Sequence, residues 1–376
     1  KNIIYSEMQG AANVWRYDVD KNRTRTVQPM KRKGDPDLRF NWNAPMAVSA
    51  FVPDRFYMGS QFLHKSEDMG DSWDIISPDL TTNDSTKQDQ SSSGGLSVDN
   101  SGAENHTTIF TIAESPLDEN ILWVGTDDGN VQVTKDGGEN WSNVTENLVG
   151  IPANTWVYHI EASVHGKGTA YAVFEGHTSG DMKPYTLKTI DYGQTWSNII
   201  SEDVHGFIRN IQEDYESENL LFLGTEFGLY VTIDGGKNWS KFENNMPATA
   251  VHFMDIQKQT NDLVMGTHGR GVIIIDDISP LRELSQEVLA QDVYFFKNKP
   301  FTMLEDSGFS GSFGTETQFV GQSKNSAARI VYYLKKRHTF GKMKMEVFDM
   351  EGNKITDLSP EKSKGINVIT WGFNKN

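Results

Sequence analysis

The chain holds 376 residues, with 35 Lys and Arg against 51 Asp and Glu for a formal charge of −16, and it contains no cysteine. Disulfides, thiolate chemistry and cysteine-based metal sites are therefore excluded, and the acidic balance argues against a grip on nucleic acid or anionic lipid, which needs clustered cations. No apolar run reaches the roughly 18 residues that span a bilayer, so no membrane span is expected.

In chain order, Asn2–Ser6, Asn13–Tyr17 and Thr24–Val27 read as the second, third and fourth strands of a partial unit over residues 1–30. Short runs rich in β-branched and aromatic residues, bounded by Gly, Asp, Asn or Pro, then mark whole four-stranded units at about 43–77, 106–145, 155–200 and 206–243. The unit at 106–145 is the clearest. His106–Glu114, Asn120–Gly125, Asn130–Thr134 and Trp141–Thr145 are its predicted strands. A second partial unit, 250–277, has three strands. Between the first two whole units, residues 78–105 shift to Ser, Thr, Asn, Asp and Gly, the composition of a long surface insertion. Pro280–Ala290 predicts a short helical stretch in a linker over 280–299. Residues 300–376 then hold the strands Ala328–Lys335, Met343–Asp349 and Ile366–Gly372. They predict part of an immunoglobulin-like or fibronectin-like β-sandwich.

One eight-residue word recurs four times, as Ser66–Trp73, Thr134–Trp141, Thr189–Trp196 and Thr232–Trp239. Each copy keeps a hydroxyl, an aspartate two residues on, a glycine four on and a tryptophan seven on. The aspartate accepts hydrogen bonds from the backbone of its own turn, the glycine takes a positive φ, and the tryptophan anchors the turn against the next strand. The tryptophans are 68, 55 and 43 residues apart, which brackets the period of propeller blades with insertions in the early ones. The expected fold is all-β: a multi-bladed β-propeller over residues 1–279, then the partial sandwich. The chain starts at Lys1 with two broken units at the ends of its propeller, so further blades before Lys1, seven or more in all, are expected.

The word resembles the Asp-box, or bacterial neuraminidase repeat, of sialidases, xyloglucan-cleaving glycosidases and sortilin. The copies at 66–73 and 189–196 fit it fully; those at 134–141 and 232–239 put Asn where Thr or Ser is usual. The wider phrasing of Arg39–Asn43, Trp123–Val133, Gly224–Tyr230 and Gly266–Ser279 is similar to a family of large secreted bacterial proteins. These are labelled sortilin-like or, because of the box, glycosyl hydrolases. The resemblance implies an exported propeller, extracytoplasmic in location, with a C-terminal sandwich. It also implies that the box residues Asp68, Gly70, Trp73, Asp136, Gly138, Trp141, Asp191, Gly193, Trp196, Asp234, Gly236 and Trp239 are structural and lie on an outer rim.

A glycosidase needs two facing carboxyl groups, about 5–9.5 Å apart depending on stereochemistry. Asp127, Asp128, Glu161, Glu175, Glu213 and Glu226 are the candidates, of which Asp127, Asp128 and Glu226 read as ordinary hairpin-turn acids. A sialidase would resemble a three-arginine clamp, and Arg55, Arg209 and Arg270 are the arginines available between residues 43 and 277, with Arg55 in a turn. The histidines are scattered without short ligand spacing, so neither a metal nor a cofactor is expected. The starts of the first strands, with nearby turns, form the mouth of the channel. Trp42, Asn43, Trp156, His159, His205, Arg209, His252, His268 and Arg270 are the ligand-binding candidates there. The leading expectation is a non-catalytic propeller that binds a protein, peptide or glycan, or serves a cell-surface assembly. The alternative is a secreted glycoside hydrolase.

Overall fold

The computed structural model describes residues 2–11, 13–89, 105–297 and 327–373. Most of the predicted insertion, the last two residues of the predicted linker and residues 300–326 of the predicted sandwich lie outside the described residues. The chain divides into two compact units, residues 1–277 and 278–376.

The first unit is all-β, with six antiparallel sheets among the described residues. Strands β1 (Ile3–Met8), β2 (Asn13–Asp18) and β3 (Arg23–Thr26) form a three-stranded sheet. Four four-stranded meanders follow. The first is β4 (Met46–Val48), β5 (Phe56–Gly59), β6 (Leu63–Ser66) and β7 (Asp74–Ile75). The next is β8 (Ile109–Glu114), β9 (Leu122–Thr126), β10 (Val131–Thr134) and β11 (Ser142–Asn143). Then come β12 (Trp156–Ala162), β13 (Ala170–Gly176), β14 (Asp181–Thr189) and β15 (Ser197–Asn198). The last is β16 (Ile208–Glu213), β17 (Leu221–Thr225), β18 (Gly228–Thr232) and β19 (Ser240–Lys241). A three-stranded sheet, β20 (Val251–Gln257), β21 (Asp262–Thr267) and β22 (Gly271–Ile275), completes the unit. First strands of successive sheets pack side by side, β4 on β8, β8 on β12, β12 on β16 and β16 on β20, a propeller-like arrangement. Every residue of β9 and β17 is buried, because neighbouring sheets cover both of their faces.

Two devices join the sheets. A glycine near the end of the second strand receives the start of the next sheet's first strand. A Cβ on Gly59 would stand 2.7 Å from Ile109, and one on Gly125 2.4 Å from Val157. One on Gly224 would stand 2.7 Å from the Val251 carbonyl oxygen. The repeated turn supplies the second device. In the copy at 134–141 the Thr134 hydroxyl donates to Asp136 at 2.7 Å, and the Asn140 N–H donates to the same carboxylate at 2.9 Å. Asn140 also donates through its side-chain amide, 2.8 Å, as Ser72 and Thr195 do through their hydroxyls. The turn glycine has φ of +105° at Gly138, and its Cβ would stand 2.6 Å from the Ile76 carbonyl oxygen of the preceding sheet. It is therefore required twice, for its dihedral and for its size.

The tryptophan of the turn fastens in the same direction. Indole N–H groups of Trp73, Trp141 and Trp239 donate to the carbonyls of Val27, Ile76 and Ile199 at 2.7, 3.0 and 2.7 Å. The sequence places the anchor on the following strand; the bond runs instead to the preceding sheet, because the bare glycine lets the turn backbone lie against it. Trp196 departs from this pattern. Its buried indole N–H has no hydrogen-bond partner, and the ring packs edge to face on Trp123 at 6.2 Å.

The second unit holds two short helices, α1 (Ser279–Glu283) and α2 (Gln286–Ala290), and strands β23 (Val293–Phe295), β24 (Ala328–Leu334), β25 (Met345–Phe348), β26 (Lys354–Leu358) and β27 (Gly365–Trp371). One sheet has the order β23-β24-β27, and β25 pairs with β26. The segment read from the sequence as a linker carries α1, α2 and β23. Leu284, Leu289 and Tyr294 from it pack on Val331 and Tyr333 of β24. Tyr332 and Leu334, on the opposite face of the same strand, pack with Met345 and Leu358. One face of the β24 sheet thus packs on the segment that carries the helices, and the other on the β25–β26 pair.

Gly125 and Gly266 occupy matching places, but no side chain fills the space above Gly266, where the nearest contact is its own neighbour strand at 3.9 Å. We expect Gly125→Ala to destabilise the fold by about 2–3 kcal/mol through overpacking and Gly266→Ala to change it by less than about 0.5 kcal/mol. Urea unfolding of both variants checks this, and equal effects would contradict the packing of the sheets.

Candidate ligand-binding face

The first strands β4, β8, β12, β16 and β20 line a concavity of about 630 Å³. Four of them are bulged at the same place, where the register slips between Ile109 and Thr111, Val157 and His159, Ile208 and Asn210, and Val251 and Phe253. A bulge adds an unpaired residue and re-aims its side chain. The four extra residues are Phe110, Tyr158, Arg209 and His252, and all four line the concavity.

These side chains touch in series. The Phe110 and Tyr158 rings lie 5.0 Å apart, and the Arg209 guanidinium lies 5.0 Å from the Tyr158 ring centre and 5.1 Å from that of Phe207. Arg209 Nη1 donates to His252 Nε2 at 3.0 Å, and His252 stacks on His268 at 5.3 Å. At the other end Trp156 packs edge to face on Phe110 and His106 at 5.2 and 5.6 Å. Burial, with Arg209, His268 and His177 nearby, lowers the His252 pKa to about 4, so the ring is neutral at pH 7 and accepts from Arg209.

Of the residues singled out by the sequence, this brings together Trp156, Arg209, His252 and His268. His159 lies further along β12, its Nε2 3.7 Å from Glu161 and its ring 6.5 Å from that of Phe253. Trp42 and Asn43 sit on the segment before β4, where the Trp42 carbonyl accepts from the Gly10 N–H at 2.9 Å. His205 and Arg270 are exposed on turns outside the series. Phe110, Tyr158, Phe207, His106 and His177 were not singled out. Aligning Ile109-Phe-Thr111, Val157-Tyr-His159, Ile208-Arg-Asn210 and Val251-His-Phe253 puts Phe110 and Tyr158 in one column with Arg209 and His252.

The carboxylates divide sharply. Glu114 accepts from Ser49, the Ala50 N–H and Tyr57 at 2.8, 2.7 and 3.0 Å. Glu213 accepts from Ser163, the Val164 N–H and Tyr171 at 3.0, 2.8 and 2.9 Å. Each clamps its sheet to the one before. Glu161 accepts from Gln212 at 2.9 Å and faces the concavity; burial raises its pKa, against the pull of His159. Glu175 is buried against His177, and burial raises it as well. Arg55 is tied to Glu67 and Glu119 at 3.1 and 2.6 Å, while Arg270 is exposed, so the three arginines form no clamp. Among the described residues no group of three or more His, Asp or Glu could hold a metal ion.

Asp127 and Asp128 are in a hairpin turn, as expected, but they are buried, with a purpose. Asp127 accepts from the Asn41 amide at 2.9 Å and from the Thr108 N–H and hydroxyl at 2.9 and 2.6 Å, with His106 3.6 Å away. Asp128 accepts from the Thr82 N–H and hydroxyl at 2.8 and 2.6 Å. The pair clasps three separate segments to one turn. This also explains why β8 begins at Ile109 rather than His106: Asp127 takes the Thr108 N–H that a longer strand would pair.

Burial lifts the Asp127 carboxyl to about 6, so the folded protein holds that proton more tightly than the unfolded chain does. The resulting stabilisation is complete below about pH 4 and is lost as pH rises through about 6. We expect Asp127→Asn to flatten the decline in stability across that window in urea titrations run at each pH. An unchanged slope would show that Asp127 does not carry it.

No protein-family model and no curated protein matches the chain. Among solved structures it is similar to the extracellular domain of a B. thetaiotaomicron protein described as a hybrid two-component system, at TM-score 0.48 and 13% identity over 74% of this chain and 32% of that one. It is also similar to a GH74 enzyme of Niastella koreensis, at TM-score 0.42 and 13% identity over 74% of this chain and 51% of that one. YCF48 from Cyanidioschyzon merolae is similar at TM-score 0.46 and 12% identity over 70% of this chain and 76% of that one. The chain spans about a third of the first of these structures and about half of the second. All three TM-scores are below 0.5, and the fold stands on the strand pairing given above.

Proposed function

We propose that residues 1–277 are part of an exported, non-catalytic β-propeller of the Asp-box type, whose concave face binds a protein, peptide or glycan ligand. It would work outside the cytoplasm, as a free binding protein or within a cell-surface assembly. The observation that carries this reading is the unbroken series Trp156, Phe110, Tyr158, Arg209, His252 and His268, which crosses four sheets at the starts of their first strands. Aromatic and arginine side chains held rigidly in a concavity lose little freedom when a ligand arrives, and these residue types dominate binding energies. The face also exposes apolar surface: Phe253 is 60% exposed and Val48 55% exposed, and both line the same concavity.

Glycoside hydrolysis is the second reading, and one observation favours it. Glu161 faces the concavity with a raised pKa, the condition of a general acid. Glu114 and Glu213 are each engaged by three donors, so Asp255, which lines the same concavity, is the carboxylate that would have to act with Glu161.

The test uses the intact chain on peptide and glycan arrays and on a panel of polysaccharides and sialosides. We expect ligand capture that weakens at least about tenfold in Phe253→Ala and is unchanged in Ile190→Ala, a variant of an exposed residue in a repeated turn. Hydrolysis of any panel member that disappears in Glu161→Gln would sink the non-catalytic reading. Capture indifferent to Phe253→Ala would sink the assignment of the face.

A further inference from the structure

Arg209 makes no salt bridge to any described residue. Its Nη1 is spent on His252, which is neutral, and its Nε is buried without a hydrogen-bond partner. The guanidinium also lies against the Tyr158 and Phe207 rings, 5.0 and 5.1 Å from their centres. Glu175, close enough to be acidified by Arg209, is already held against His177 through its side chain and through the His177 N–H at 3.2 Å. Among the described residues no carboxylate lies within 4.0 Å of Arg209, although it lines the concavity of a protein with a formal charge of −16. A partly buried guanidinium without an anion is costly, and its fixed planar donors match a carboxylate.

The neighbourhood limits what that anion can be part of. The Tyr158 and Phe207 rings beside Arg209 are already engaged, by the guanidinium and by Phe110 and His177 respectively, which makes them poor platforms for a sugar ring. Phe110 is only 9% exposed. Further along the same strands stand Gln212, His159, Glu161 and Asp255, all lining the concavity. Gln212 and Asp255 are each three residues beyond the bulge residue of their strand, about 10 Å away at the rise of a β-strand. Amide and imidazole groups there suit the N–H and C=O groups of a peptide, while the exposed Asp255 repels a second negative charge.

We propose that Arg209 is the anchor for a single carboxylate side chain of an extended peptide, flanked by uncharged residues, lying across the first strands. This rests on the concave face being a binding surface and adds the ligand's chemistry to it. A polyanion is disfavoured by the same geometry that favours one carboxylate, since Asp255 stands three positions along its strand.

The experiment uses arginine-selective ¹⁵N labelling of the whole chain and follows the Arg209 Nε–H resonance. Four probes are titrated: the capped pentapeptide Gly-Ser-Glu-Ser-Gly, its Gln counterpart, an oligoglutamate and a galacturonate trimer. We expect the Glu peptide to shift the resonance and to bind at least tenfold more tightly than the Gln peptide by fluorescence anisotropy, with oligoglutamate no tighter per chain. Arg209→Gln should erase the preference for Glu over Gln, and Arg209→Lys, which keeps the charge without the planar fork, should keep only part of it. Equal binding of the Glu and Gln peptides, or a preference that survives in Arg209→Gln, overturns the carboxylate anchor. Binding of both peptides with loss in Phe253→Ala would at the same time leave the concave face standing. A response to the galacturonate trimer alone overturns the peptide assignment, and no response to any probe overturns the anchor. Should Arg209→Gln fail to fold, the resonance shift in the unaltered chain decides by itself.

Discussion

Everything in the first unit depends on how closely one sheet can approach the next. That distance is set by missing side chains. Gly59, Gly125 and Gly224 leave holes into which the following first strand seats Ile109, Val157 or the Val251 backbone, and Gly70, Gly138, Gly193 and Gly236 let each repeated turn lie on the preceding sheet. The two glycine sets act on opposite sides of a sheet, so the first, second and fourth meanders are fastened both forwards and backwards and the third, β12–β15, backwards. A tryptophan N–H bond closes three of the four backward contacts, converting a van der Waals approach into a fixed register.

Once the first strands are held this near to one another, the residue at each bulge has nowhere to go but along the shared concave side. That is why four chemically different residues, Phe110, Tyr158, Arg209 and His252, end in mutual contact rather than in separate cores. The sheet interfaces below them show the same economy of space. Two interfaces use a glutamate on the later sheet and a tyrosine on the earlier one, Glu114 with Tyr57 and Glu213 with Tyr171. Between them in the chain, Trp123 stands at the tyrosine position and Ala162 at the glutamate position, both in one apolar cluster. The larger indole fills the volume that the carboxylate would have taken. A polar latch and an apolar plug thus solve the same packing problem.

The sheets were legible because their causes are local. Ser66, Asp68 and Ser72, and the matching residues of the three other copies, satisfy one another within eight residues, and so they announce a turn wherever they occur. What joins the sheets was less legible. The partner of the Trp141 indole is a carbonyl 65 residues earlier, and a carbonyl exists at every position, so no residue type marks it. The candidate face was read in part: Trp156, Arg209, His252 and His268 were recognised by chemistry, whereas Phe110 and Tyr158 look like ordinary strand residues until the bulge aligns them. Asp127 and Asp128 were the reverse case. Their turn was evident, but their burial comes from Asn41, Thr82 and Thr108, which the chain brings from outside the hairpin. Likewise nothing in the run from Pro280 to Ala290 tells that its apolar side chains cover β24 rather than lead away from it.

The acids of this chain also separate by place, with a consequence for the face. Half-buried aspartates of the repeated turns are held low by backbone and side-chain donors: Asn140 keeps Asp136 at about 2, and Thr195 lowers Asp191. Toward the mouth and the concavity burial works the other way and raises Asp127, Glu161 and Glu175. The same functional group therefore keeps its charge in the turns, where water and N–H groups stabilise it, and holds its proton more readily where a ligand would sit. A chain with so large a net negative charge would otherwise repel carboxylates from every direction. On the concave side Arg209 is held by rings and a neutral imidazole, with no carboxylate of the described residues within 4.0 Å.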